Sequence, residues 1–154
     1  MEDLKTEFLG EVVAHLDWGQ LLAVGDTQRG NRQIVYVTGG TFEGPKLKGV
    51  VLPGGGDWFV RRPDGVTEMD VRIVVRADDN QLIYCYYRGI NDVSFEVAIK
   101  IITGEKIDPS QYYFRTTPVF ETASVKYGWL NRIVTVGVGK ITPQGVAYKL
   151  YSVL

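Results

Sequence analysis

The chain has 154 residues, 45% hydrophobic and 23% charged, with a formal net charge of -1. That length suits one domain with a sizeable core, and the near-neutral balance supplies no field for nucleic acid, Arg61-Arg62 being too small a cluster for a phosphate track. One cysteine, Cys85, and one histidine, His15, exclude an internal disulfide and leave too few ligands for an ordinary zinc site.

Glycine, at 18 residues, and tyrosine, at 9, stand out, and with abundant Val and Ile they give a strand composition punctuated by turns. No segment carries a sustained, capped helical period. Residues 7–16 read as a first strand, 31–38 as a second ending at Gly39-Gly40, and 46–52 as a short third. The third leads into Pro53-Gly54-Gly55-Gly56-Asp57-Trp58, where consecutive glycines free the backbone for a sharp turn or a close approach. This is no phosphate loop, because the Gly-Lys-Ser/Thr ending and a following helix are missing.

Arg62-Pro63-Asp64-Gly65 reads as a type I turn with a glycine exit. Pairing Arg62 with Val66 sets Val60 opposite Glu68 and Trp58 opposite Asp70. The next turn is Asp78-Asp79-Asn80-Gln81. With Asp79 and Asn80 at its tip, Asp78 pairs with Gln81, Val74 with Cys85 and Arg72 with Tyr87. The two hairpins then place Trp58, Asp70, Arg72 and Tyr87 on one face, and Phe59, Met69, Val71, Ile73, Tyr84 and Tyr86 on the other. A one-residue slip at either turn reverses this arrangement.

Residues 93–103 fit a strand or a short helix, and their β-branched residues favour strand. Residues 111–122 form a strong strand, with Pro118 demanding a bulge or an edge. Arg115 and Glu121 share one of its faces with Tyr113. Tyr127 to Asn131 form a connection with its own aromatics. The last two strands, 132–142 and 146–153, are joined by the turn Thr142-Pro143-Gln144-Gly145. Eight or nine strands with short turns predict an all-β fold, a single antiparallel up-and-down β-barrel of about eight strands over residues 1–154. An eight-stranded barrel is filled by side chains or holds one small ligand.

Several of these segments come in a fixed order. They are Gly44-Pro45, Gly49 to Trp58, Arg62-Pro63-Asp64-Gly65, Asp70-Val71-Arg72, Tyr113-Phe114-Arg115-Thr116, Phe120-Glu121-Thr122, and Trp129-Leu130-Asn131 with Gly137 and Gly139. Together they resemble the domain of unknown function 3237, also called uncharacterised protein family 0311, from about residue 8 onward. The resemblance implies a single-domain antiparallel β-barrel of bacterial or fungal type and implies no activity.

Two readings of the face with Trp58, Asp70, Arg72 and Tyr87 compete. In one it is a solvated exterior whose Asp and Arg neutralise each other. In the other it lines the lumen, a reading favoured because Asp70 and Arg72 belong to the shared motif. The second gives a pocket of Trp58, Asp70, Arg72, Tyr87, Tyr113, Arg115, Glu121, Trp129 and Asn131 for an organic anion or aromatic compound. A cofactor-independent isomerase, cyclase or hydratase is the alternative, with Glu121 or Asp70 shuttling a proton. A third reading covers the outer aliphatic strands with another copy of the chain, as a homodimer or higher homo-oligomer. His15 has no nucleophile signature beside it, and Cys85 reads as a small buried apolar residue. The expected partner is a small molecule, with no cofactor, metal, nucleic acid or membrane. The acidic start, Met1 to Lys5, lacks a signal-peptide core, and no run of 18 apolar residues occurs, so the expected location is the cytoplasm.

Overall fold

A computed structural model describes residues 2–154. In chain order the elements are β1 (Thr6–Leu16), β2 (Leu22–Thr27), β3 (Gly30–Glu43), β4 (Lys48–Val51), β5 (Gly56–Asp57), β6 (Val60–Arg61), β7 (Thr67–Ala77), β8 (Leu82–Asp92), helix α1 (Phe95–Ile102), β9 (Tyr113–Thr116), β10 (Val119–Glu121), β11 (Val134–Thr142) and β12 (Gly145–Val153). All pairings are antiparallel, and β12 pairs back onto β1, so the meander closes into an eight-stranded barrel. Two of the eight wall positions are broken strands. β4, β5 and β6 together fill the gap between β3 and β7. β9 and β10 share the position beside β8, interrupted at Thr117-Pro118. The expected irregularity at Pro118 is therefore a strand break. β2 is an extra strand folded onto the start of β3.

The first hairpin has the predicted register. The Arg62 N–H donates to Val66 O at 2.8 Å, Val60 opposes Glu68, and the Trp58 N–H donates to Asp70 O at 3.0 Å. The second does not. Ala77 pairs with Gln81, and the loop is Asp78-Asp79-Asn80, with Asn80 at φ 66°. A type I turn followed by a left-handed residue makes a three-residue hairpin. Asn80 thus plays the part that Gly65, at φ 87°, plays in the first hairpin. The register shifts by one, so Arg72 opposes Tyr86 and Val71 opposes Tyr87.

The segment favoured as a strand is also corrected. Residues 95–102 form α1, capped by Ser94, whose Oγ accepts the Val97 N–H at 3.2 Å. A side-chain cap satisfies one of the free N–H groups at the helix start, and Glu96 and Lys100 add an i,i+4 pair at 3.3 Å.

Inward positions alternate along β7 and β8, as a barrel requires. Val71, Ile73 and Val75 on β7 and Ile83, Cys85 and Tyr87 on β8 are all buried. Two inward glycines on β11 hold the barrel narrow: a Cβ on Gly139 would strike the Phe114 ring, and one on Gly137 would strike Thr116. One end of the barrel is packed shut by Phe42, Leu47, Phe120, Tyr127 and Leu130. The other end lies under α1 and the turn between β1 and β2, and it is hollow.

Candidate functional site

The hollow end is a cavity of about 370 Å³. Its lining is mainly apolar, with Phe59, Met69 and Phe114 from the barrel and Ala98, Ile99 and Ile102 from α1. Arg61 fastens the helix side to the wall, because its Nη2 donates to Val93 O at 3.1 Å and its guanidinium lies 6.0 Å from the Phe95 ring centroid.

Asp57 also faces this space. It lies opposite Val35 on β3 and opposite Val71 on β7, both fully buried. A carboxyl group therefore occupies a position in the interior where its cross-strand neighbours are aliphatic. The Asp70 N–H donates to Asp57 Oδ1 at 3.0 Å. Burial is the largest influence and raises the Asp57 pKa from 3.8 to about 7; the hydrogen bond from Asp70 opposes it, the Asp70 charge adds to it, and Arg32 counters in part. Such a group populates both protonation states near neutral pH, which suits a general acid or base.

Deeper in the same interior, the Tyr87 and Tyr148 hydroxyls are hydrogen-bonded at 3.0 Å, with ring centroids 5.2 Å apart in an edge-to-face arrangement. Burial holds both phenols well above their ordinary pKa, and each feels the Asp57 charge. They remain neutral hydroxyls at physiological pH.

Of the residues expected to converge in the lumen, Tyr87 alone points into it. Asp70 and Arg72 form an outer pair at 3.2 Å, with their side chains 34% and 49% exposed. The Arg72 guanidinium stacks over Tyr86 at 4.8 Å and lies 5.9 Å from Trp58, so the three make an outer cluster. Arg115 lies on the outside, over the exposed Tyr113 ring at 4.9 Å, and donates to Phe114 O at 2.9 Å. Glu121 is exposed on β10. Trp129 packs against the closed end beneath Lys46, and Asn131 latches Thr122 through two bonds of 2.8 and 2.9 Å. The physical reason for the correction is the period of two along a strand. The aliphatic face of β7 is the core, so the charged face is exterior.

Asp57, Tyr148, Trp18 and Asn91 are among the cavity-lining or interior polar residues that the sequence alone did not single out. A signal existed for the first: Asp57 is Trp58's neighbour, so an outward Trp58 forces an inward Asp57. Among the described residues no helix is long and apolar enough to cross a membrane, and no cluster of three or more His, Cys, Asp or Glu is placed to hold a metal.

The profile of the family described as "Protein of unknown function (DUF3237)" matches residues 4–153. A UPF0311 protein of Clostridium acetobutylicum is 40% identical over 124 residues, 80% of this chain and 78% of its own length. A Rhodopseudomonas palustris relative is 31% identical over 98% of this chain and 97% of its own. Among solved structures, a conserved protein of unknown function from Rhodopseudomonas palustris superposes with a TM-score of 0.91 at 30% identity over 100% of both chains. A β-barrel-like protein from Acinetobacter baumannii gives 0.86 at 35%, over 100% of this chain and 98% of its own. A protein from Penicillium herquei described as an enzyme gives 0.73 at 19%, over 100% and 97%, a likeness of fold.

Proposed function

The chain belongs to the DUF3237 family of proteins of unknown function, and we propose that its lumen binds a small, largely apolar organic molecule on which Asp57 acts as a cofactor-independent general acid–base. The observation that carries this reading is a carboxyl group with its pKa raised to about 7 at the edge of an apolar cavity. The cavity volume lies within the range of small-molecule sites, roughly 300–1,000 Å³. Isomerisation, cyclisation and hydration share the need for one group that both takes and returns a proton, and a positioned group of matched pKa contributes about 10²–10⁴-fold. An anionic ligand is disfavoured. Arg72 and Arg115 lie outside, and Arg61 is engaged on Val93 O.

The test uses 2-tetralone, an aromatic ketone with exchangeable α-hydrogens, in D₂O. The protein should accelerate deuterium incorporation, with a rate that rises through pH 7 as Asp57 ionises. Asp57→Asn should remove the acceleration while 2-tetralone still raises the melting temperature. Exchange that survives in Asp57→Asn overturns the assignment of Asp57. A protein that binds 2-tetralone in the lumen and never exchanges it is a receptor rather than an enzyme.

A further inference from the structure

Helix α1 and its flanks are held to the barrel by side-chain packing rather than by hydrogen bonds. Among the described residues, 94–111 form hydrogen bonds and an ion pair only with one another. The nearest ties lie just outside that stretch. Arg61 Nη2 donates to Val93 O at 3.1 Å, and the Tyr112 hydroxyl accepts the Ile141 N–H at 2.9 Å. A helix of eight residues is too short to hold itself in water, so its packed face must supply the stability. That face is incomplete. Ile101 is buried, but Ala98, Ile99 and Ile102 line the hollow of about 370 Å³. Phe95 lines it too, and Phe95 and Ile99 are still 67% and 43% exposed.

We infer that α1 is a lid: it swings from the barrel mouth on hinges at Ser94 and Gly104, admits the ligand of the lumen and closes on it. This rests on the lumenal binding proposed above and adds how the site is entered. The chain enters α1 through the extended Ser94 and leaves it through Gly104, at φ 105° with open space where a Cβ would stand. Hinges are a few residues at element ends that absorb such backbone rotation. A segment with few buried contacts and no bonds to the sheet opens at a fraction of the free energy of global unfolding. The strands beneath cannot open that way, because β7 and β8 pair continuously from Thr67–Asn91 to Arg76–Leu82. Arg61 is the latch, reaching from β6 to Val93 O and to the Phe95 ring. An apolar occupant gives Phe95 and Ile99 a surface to cover, and that added burial favours the closed lid once the site is filled. Closure also removes water from around Asp57, which lines the same hollow.

The experiment uses the full chain and 2-tetralone. Without ligand, the amide hydrogens of α1 should exchange at least about 100-fold faster than those of β7 and β8. Saturating 2-tetralone should slow the α1 amides. The variant is Ser94→Ala, at an exposed position outside the cavity lining, where the helix loses its cap. In stopped-flow fluorescence it should raise the association and dissociation rates of 2-tetralone together, by about 2–30-fold, and leave the affinity in place. Ser94→Asp, which still caps, should keep the parent rates. Ligand-free α1 amides as protected as those of β7 and β8 overturn the inference. So do 2-tetralone rates that Ser94→Ala leaves unchanged. A chain that never binds 2-tetralone overturns the lumenal reading instead, and the ligand-free exchange still decides whether α1 opens by itself.

Discussion

The Asp57 carboxylate accepts the main-chain N–H of Asp70 at 3.0 Å, while the Asp70 side chain points the other way, to Arg72 on the outer surface. Two aspartates at neighbouring wall positions thus face opposite sides of the barrel. One is solvated and paired, and the other is held in an apolar interior by a single backbone bond. That contrast separates a surface charge from a group able to trade protons near pH 7.

Asp57 should leave a signature in stability. Its folded-state pKa, about 7, is raised above the ordinary 3.8. The folded protein therefore binds more protons than the unfolded chain between those values, and the group's stabilising contribution is complete below 3.8 and lost as pH rises through 7. The span corresponds to at most roughly 4 kcal/mol. Asp57→Asn keeps the acceptor for Asp70 N–H and lacks the titration. Urea unfolding at pH 5 and pH 8 should show the variant gaining on the parent by about 1–3 kcal/mol at the higher pH. A constant difference between the two would contradict the raised pKa.

The Tyr87–Tyr148 bond is buried, so each hydroxyl depends on the other. Either Tyr→Phe change should destabilise by about 1–3 kcal/mol through the orphaned partner. The double Phe variant should cost less than the two single changes added together. A denaturant double-mutant cycle measures this, and strict additivity would mean that the hydroxyls do not support one another.

Gly139 is needed for space. Its missing Cβ leaves room for the Phe114 ring. Gly139→Ala should cost about 1–3 kcal/mol by overpacking. Adding Phe114→Leu should recover part of that loss. No recovery would point away from this contact as the cause.

Arg72→Gln and Glu121→Gln bear on the outer surface. Exposed ion pairs contribute about 0–1 kcal/mol, and both residues are outside the lumen. Each variant should stay within about 1 kcal/mol of the parent in stability and should bind lumenal probes unchanged. A large loss of probe affinity in either would return these residues to the site.

The two hairpins explain how far the chain could be read. Gly65 announces a left-handed residue, so the pairing of Trp58 with Asp70 followed from Arg62 to Val66. Asn80 adopts the same left-handed conformation with less warning, and taking Asp79-Asn80 as a two-residue tip moved Tyr87 from beside Val71 to beside Arg72. Helix α1 was legible only through Ser94, since its Val and Ile residues suit a strand equally well. The charged motif residues attracted a lumenal assignment because motif membership does not say which side of a wall a side chain takes.

Local chemistry along the chain determined the strands, most of their turns and the closed meander, because alternation and turn residues act over a few positions. The direction of each face was decided by closure, which buries whichever set of alternate side chains excludes more water. Closure turned Val35, Val71 and Tyr87 inward and carried Asp57 with them. The pKa of that one carboxyl follows from its surroundings in space, and no stretch of sequence holds those surroundings together.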